Sequence, residues 1–519
     1  MALAGALVPF SLAPYNFAAL AFLSTLIVLV VLNNCTIKQA FQHGYWYGVS
    51  LFGIGVHWLY ISIHEHGNAS PLLAGGLTLG LILCALAFFP ACKLLIYKYL
   101  ETKFTHSNYH SKYKNIFLLV NLPTIWVIFD WIQSWFLTGF PWLYLGYSQI
   151  LTPLSGFAPI LSVFGVTWFV IFNTILIYFI IKNIIKFIYN NNNQYTLNAC
   201  LNYMVILIVV FITGRSLQAV EWTVPKKTAE QVVLVQGNIA QVNRWDPELF
   251  LQNIKTYEKL THPYWKNSTI IWPESAVSLP LPYAEKLITE LSTTASNNQS
   301  TLILGIPRLA NTQQQFFNSI IAIGKGQGSH NKNKLVPWGE YVPFENILRG
   351  IIAFFNLPMS NFISGNVITP NFGVLQSENL RWLPFICYEI AYPSYVIDHA
   401  SQGDAIITIS NDAWFGDSIG PWQHLQLVQM RALETARPVI RATNNGITAV
   451  IDSHGKIIQQ IPQFEENVLV YENLYGFEGI TPIMYYGVNS VIFLLLIMIT
   501  GSCYLLRRKS RSQELVKDN

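Results

Sequence analysis

Long apolar runs divide this chain into two blocks with a mixed segment between them. The runs cover Leu3 to Leu32, Gly44 to Ile61, Pro71 to Ile96, Ile116 to Phe136, Leu154 to Ile181, Leu201 to Ile212 and Ile483 to Leu506. Most approach the ~20 residues that a helix needs to cross a bilayer. The first is longer than that and is interrupted by Pro9, Pro14 and Asn16. It reads as one tilted helix or a hairpin of two short ones; the hairpin is preferred and gives eight spans in all.

Between Ser216 and Thr481 the pattern changes. Short β-branched runs alternate with amphipathic stretches, as in a layered α/β fold. The runs predict strands at Val232 to Val235, Ile270 to Trp272, Leu302 to Gly305, Ser319 to Ile323, Trp382 to Ile386, Ala405 to Ile409, Val439 to Ala442, Thr448 to Ile451 and Val468 to Tyr471. Helical periodicity predicts Pro247 to Leu260, Tyr283 to Thr293 and Trp422 to Ala436. The expected organisation is a transmembrane bundle over 1–215 (about seven helices), a catalytic domain over 216–481, one more span over 482–506, and a basic tail over 507–519.

Composition agrees with a membrane protein: of 519 residues 52% are hydrophobic and 11% charged. The positions of the basic residues suggest an orientation. Lys38, then Lys93 to Lys114, Lys182 and Lys186, and the tail from Arg507 fall in alternate loops, whereas the loops around His64 to Ser70 and Ser134 to Thr152 contain no lysine or arginine. By the positive-inside rule both termini are then cytoplasmic and the segment 216–481 is on the outer face. That segment holds 17 basic and 22 acidic residues, which argues against nucleic acid as a partner despite the overall charge of +4.

Cys387 is the only one of six cysteines in the outer segment, so no disulfide can form within it. No second cysteine or histidine pair accompanies it, so a metal site is not expected. Polar residues gather where predicted strands end: Glu274 in Trp272-Pro-Glu274-Ser, Cys387-Tyr388-Glu389 after Trp382 to Ile386, and Asn411-Asp412 after Ala405 to Ile409. In open α/β sheets, sites form at such ends. Lys332 lies in a loop, followed by Leu335-Val-Pro-Trp-Gly-Glu340.

Together these motifs resemble the nitrilase, or carbon-nitrogen hydrolase, superfamily. That resemblance implies an αββα sandwich and a Glu274, Lys332, Cys387 triad. A nitrilase-like domain set between a multi-span bundle and a C-terminal span is similar to one branch, the apolipoprotein N-acyltransferases. Val235-Gln-Gly-Asn-Ile239 with Trp245, Ser410 to Gly416, and Arg437 to Gly446 extend the likeness over nearly the whole chain. In place of a histidine and a phenylalanine common in the superfamily stand Lys334 and Trp338; the spacing to Glu340 favours Lys332 over Lys334 as the triad lysine.

The resemblance implies transfer of a fatty acyl group from a phospholipid to the α-amine of a diacylglyceryl apolipoprotein, through a thioester on Cys387, without a cofactor. The enzyme would sit in the bacterial inner membrane with its catalytic domain on the periplasmic side. Glu274 would be general base and acid, and Lys332 would stabilise the oxyanion. Glu340 and Glu389 would position Lys332 and Cys387, or simply be paired buried carboxylates. Tyr388 and Trp245 would shape the acyl pocket or belong to the core, and Trp414 and Phe415 would contribute to a lid over the substrate. The apolar stretch Ile347 to Ile363 reads as a further lid or a core helix. Arg441 and Asn444 read as structural, and His424 as an ordinary helix histidine. A membrane-anchored amidase and a ligand-binding transporter remain as alternatives; with Asp130 the clearest charge inside the bundle, coupled ion transport is disfavoured.

Overall fold

The computed structural model describes residues 1–67, 69–105, 111–189, 194–310, 315–337, 339–341, 362–365 and 372–517. All but the last two residues of the apolar stretch Ile347 to Ile363 lie outside these, as does Trp338. The chain forms two compact units. One comprises Met1–His57, Gly75–Val220 and Tyr486–Asn519; the other comprises Trp58–Ala74 and Glu221–Tyr485.

The first unit is helical. The opening apolar run is indeed two helices, Ala2–Ser11 and Ala19–Leu32. At ~1.5 Å per residue, neither reaches across a ~30 Å hydrocarbon layer. Among the described residues five helices are long and apolar enough to cross a membrane, or six if Ile37–Gly55 and Trp58–His66, bent by 55°, count as one. Hydropathy leads to an expectation of eight spans, more than the helices of that length among the described residues. Hydropathy registers how apolar a run is, but not where its helix stops or bends. Asp130 is buried and ion-paired with buried Lys93, which leaves no net charge at that point in the bundle.

The second unit holds β1 (Val224–Gln236), β2 (Ser268–Ile271), β3 (Thr301–Leu309), β4 (Phe316–Gly324), β5 (Ser329–Asn331), β6 (Leu375–Gln376), β7 (Arg381–Ile386), β8 (Ala405–Ser410), β9 (Val439–Thr443), β10 (Thr448–Ile451), β11 (Ile457–Ile461) and β12 (Asn467–Glu478). They make two six-stranded sheets, β12-β1-β2-β3-β4-β5 and β11-β10-β9-β8-β7-β6. The central strands β1, β2 and β3 run parallel, as do β7, β8 and β9.

Period-two alternation sorts their side chains into layers. Val232 and Leu234 face the other sheet, packing with Ile271, Trp382, Ile407 and Ile440. Val233 and Val235 turn outward against Phe250, Ile254 and Leu291 of helices Phe250–Thr261 and Leu281–Asn297. On the other sheet Leu383, Phe385 and Ile406 pack against Leu425, Val428 and Ala432 of helix Gly420–Thr435. The result is the expected αββα sandwich. The elements that patterning missed, β5, β6, β11 and helix Pro393–His399, are short or polar.

Segment Trp58–Ala74, read from sequence as part of the bundle, packs with this unit instead. The Trp58 ring lies 4.6 Å from that of Phe415, its Nε1 donates to Gln423 Oε1 at 3.2 Å, and Ser62 Oγ donates to the Trp414 carbonyl at 2.6 Å. The catalytic unit is thus discontinuous in sequence.

Candidate active site

Glu274 follows β2, Lys332 follows β5, and Cys387 follows β7, so the chemistry-bearing residues are held by strand ends on both sheets. Gly305 on β3 makes room for the glutamate turn: a Cβ there would stand 2.4 Å from the Ser275 nitrogen and 2.8 Å from the Glu274 Cα.

Glu274 is buried, and both of its oxygens accept hydrogen bonds. Its Oε1 accepts from Asn318 Nδ2 at 2.7 Å and from Lys332 Nζ at 3.4 Å, and its Oε2 accepts from the Asn411 backbone N–H at 2.8 Å. Lys332 Nζ donates to Glu340 Oε1 at 2.9 Å. Glu340 also accepts from Asn318 Nδ2 at 2.9 Å and from the Val336 N–H at 2.8 Å. One buried ammonium therefore sits between two carboxylates, with Asn318 bridging them. Burial works against the charge on Lys332, but Glu340 and then Glu274 outweigh it and hold the pKa well above its ordinary value. Lys334 points elsewhere, over the rings of Tyr392 and Tyr395 at 5.4 and 5.8 Å.

Cys387 adopts φ +52°, a left-handed backbone rarely taken by a residue with a Cβ. Such a turn lifts its side chain off the strand end. Its thiol is pushed up to about 12, by burial first and by the Glu274 charge next, with Lys332 pulling the other way. The raised value disfavours a standing thiolate.

Glu389 is completely buried and links the two catalytic loops. Its Oε1 accepts from the backbone N–H of Asn333 at 2.6 Å and Lys334 at 3.3 Å, directly after Lys332. Its Oε2 accepts from the Ile386 N–H at 2.8 Å, directly before Cys387, and lies 3.2 Å from His330 Nε2. Burial raises its pKa, but His330 and these backbone donors prevail and leave it lowered.

The aromatic residues separate. Trp245 is 46% exposed and Trp414 36% exposed. Phe415 is buried between Trp58 and His424, so it packs the fold where a lid residue was expected. Tyr388 is buried and sits edge-on to Tyr392 at 5.1 Å.

His424 is no ordinary helix histidine. It is buried, its Nε2 lies 3.2 Å from the Cys387 carbonyl oxygen, and its Nδ1 lies 3.2 Å from Arg441. Arg441 in turn pairs with Asp412, whose pKa Arg441 and then His424 hold well below the usual carboxylate range despite burial. Asn444 fastens the loop after β1, through the Ile239 backbone, to Asn411. Asn318 was also missed, although a polar residue inside the apolar run Phe316 to Ile323 was a visible signal. Among the described residues no group of three or more His, Cys, Asp or Glu is placed to hold a metal.

The Carbon-nitrogen hydrolase family model matches residues 231–473, and the Apolipoprotein N-acyltransferase N-terminal domain model matches residues 4–176. An apolipoprotein N-acyltransferase of Pseudomonas aeruginosa is 38% identical over 516 residues, covering 98% of this chain and 96% of the relative. One of Azotobacter vinelandii is 40% identical over 484 residues, covering 92% and 89%. This chain belongs to the apolipoprotein N-acyltransferase family. Among solved structures, a CN-hydrolase superfamily protein of Xanthomonas campestris aligns over 47% of this chain and 90% of its own, with 17% identity and a TM-score of 0.36.

As an apolipoprotein N-acyltransferase the protein is a membrane-associated acyltransferase of lipoprotein maturation, and the amidase alternative is not favoured.

Proposed function

We propose that Cys387 is the nucleophile of a two-step acyl transfer, with Glu274 as base and acid and Lys332 as oxyanion donor. The observation that carries this is the buried Glu274, Lys332, Glu340 cluster, electrostatically coupled to a cysteine held in a left-handed turn.

In the first step Cys387 Sγ attacks the ester carbonyl of a phospholipid while its proton passes to Glu274. The tetrahedral oxyanion takes a hydrogen bond from Lys332. That ammonium has three N–H groups, of which Glu274 and Glu340 engage two. The Tyr388 backbone N–H supplies a second donor; each is worth about 3–4 kcal/mol in comparable sites. Glu274 then protonates the departing glycerol oxygen, the C–O bond breaks, and a lysophospholipid leaves behind a thioester.

In the second step the α-amine of the N-terminal diacylglyceryl-cysteine attacks the thioester carbonyl. Glu274 takes a proton from the amine, the C–S bond breaks, and the proton returns to Sγ. Amide formation resets the site. Ping-pong kinetics follow from a covalent intermediate that survives departure of the first product. The basic loops support an inner-membrane orientation with the catalytic domain on the periplasmic face and both termini in the cytoplasm.

Incubation of the purified protein with acyl-labelled phospholipid tests the reading. Label should appear on Cys387, be released by hydroxylamine, and be absent from Cys387→Ala. A wild-type enzyme that forms product without ever carrying label on Cys387 would sink the proposal.

A further inference from the structure

The short helix Gln241–Arg244 borders Glu274 on two sides. Gln241 Oε1 accepts from Asn411 Nδ2 at 2.6 Å, and the Asn411 backbone N–H holds Glu274 Oε2. Arg244 Nε donates to the carbonyl of Ser275, the residue after Glu274, at 3.3 Å. Arg244 is 6% exposed, and one terminal nitrogen of its guanidinium is buried without a hydrogen-bond partner.

The other buried arginines of this unit are differently placed. Arg441 pairs with Asp412, Arg431 pairs with Glu434, and Arg437 donates to the carbonyls of Ala400, Phe477 and Gly479. Among the described residues, Arg244 has one carbonyl and no carboxylate within ion-pair distance. A buried guanidinium left this way is costly unless an anion arrives. Burial lowers its pKa, and the charges of Tyr257, Glu274 and Cys387 oppose that, so Arg244 lies within electrostatic reach of the reacting groups. The exposed ring of Trp245 lies beside it, 5.9 Å from the guanidinium carbon.

Resting on the acyl-transfer reading above, we propose that Arg244 binds the phosphodiester of the acyl-donor phospholipid. In a glycerophospholipid the phosphate is only a few bonds from the ester to be cleaved. A guanidinium near the nucleophile, with donors to spare, matches a phosphate oxygen in charge and geometry. The acceptor, a diacylglyceryl-cysteine, carries no phosphate. Arg244 therefore serves the first half-reaction and is idle in the second, so one enzyme can select a phospholipid as donor and a phosphate-free lipopeptide as acceptor.

The test measures acylation of Cys387 in the full-length protein in mixed micelles, from phosphatidylglycerol and from a phosphate-free p-nitrophenyl ester of the same acyl chain. Arg244→Met should lower kcat/KM for the phospholipid about 10- to 100-fold, mainly through KM. Its effect on the p-nitrophenyl ester should be several-fold smaller, and Arg244→Lys, which keeps the charge without the planar fork, should recover part of the phospholipid loss. Aminolysis of thioester preformed on Arg244→Met should run at the wild-type rate. Equal losses with both donors would overturn the proposal and make Arg244 an anchor for the Glu274 turn; no loss with either would also overturn it. If Arg244→Met is unstable, the donor comparison is made with Arg244→Gln, and the same ratio decides. A wild-type enzyme unable to acylate Cys387 from either donor would instead refute the acyl-transfer reading itself.

Discussion

His424 Nε2 lies 3.2 Å from the carbonyl oxygen of Cys387. A carbonyl only accepts, so this contact calls for a proton on Nε2, while Nδ1 faces both Arg441 at 3.2 Å and Asp412 Oδ1 at 3.3 Å. Burial, then Arg441, lowers the pKa of His424, with Asp412 and the Cys387 carbonyl opposing. In the planar trans peptide joining Cys387 to Tyr388, the C=O and N–H point in opposite directions. Fixing the carbonyl on His424 therefore also fixes the orientation of the Tyr388 N–H, the group proposed above as the second oxyanion donor.

His424→Leu should slow acylation of Cys387 by about 100-fold, the scale of one lost oxyanion donor, with donor KM little changed. His424→Gln, which can present an amide N–H near the same place, should recover part of the rate. Stopped-flow acylation kinetics separate these outcomes, and equal slowing by both variants would leave His424 a packing residue.

The raised thiol pKa gives a reactivity profile. With its pKa pushed up to about 12, Cys387 should alkylate slowly near neutral pH and keep accelerating where an ordinary thiol, pKa ~8.5, has levelled off. Glu274→Gln removes the neighbouring negative charge, favours the thiolate, and should shift the rise to lower pH. Iodoacetamide labelling read by peptide mass mapping follows Cys387 separately from exposed Cys84. A wild-type plateau below about pH 8 would contradict the assignment.

Glu389 makes an acid-dependent contribution to stability. Its folded pKa is lowered, so the stabilisation is complete above its unfolded value of ~4.3 and is lost as pH falls through the folded value. Glu389→Ala leaves His330 and three backbone donors without their acceptor. Removing one partner of such a buried arrangement should cost roughly 3–5 kcal/mol. Thermal melts across pH should show Glu389→Gln furthest below wild type near neutrality and converging with it under acid conditions.

Asn318 donates to Glu274 and Glu340 together. Asn318→Asp puts a third carboxylate within hydrogen-bond distance of two others, whereas Asn318→Ala only removes donors. The aspartate variant should therefore be the less active, by about tenfold or more. Activity rising again in Asn318→Asp as pH falls, but not in Asn318→Ala, would identify charge repulsion as the cause.

The lysine motif shows how far the sequence reached. The spacing to Glu340 singled out Lys332 over Lys334, and in the structure Lys332 meets Glu274 and Glu340 while Lys334 covers two tyrosines. The central strands were legible because they are buried on both faces and read as continuous apolar runs. Trp58–Ala74 lies within the 1–215 bundle of the sequence reading but groups with the second unit, because its partners Trp414, Phe415 and Gln423 are distant in sequence. The packing of Phe415 against Trp58 was not legible, because the two are more than three hundred residues apart in sequence.

The sequence by itself determined the membrane character, the α/β layering and the identity of the Glu274, Lys332 and Cys387 motifs. These depend on composition, on local periodicity and on short-range spacing. Only the tertiary structure decided that Cys387 takes a left-handed turn, that His424 anchors its carbonyl, that Glu389 fastens the two catalytic loops and that Arg244 is buried with an unused donor. Each of these depends on a partner brought in from a distant strand end, and the energy of a hydrogen bond or ion pair is set by distance and burial in space, which residue order does not encode.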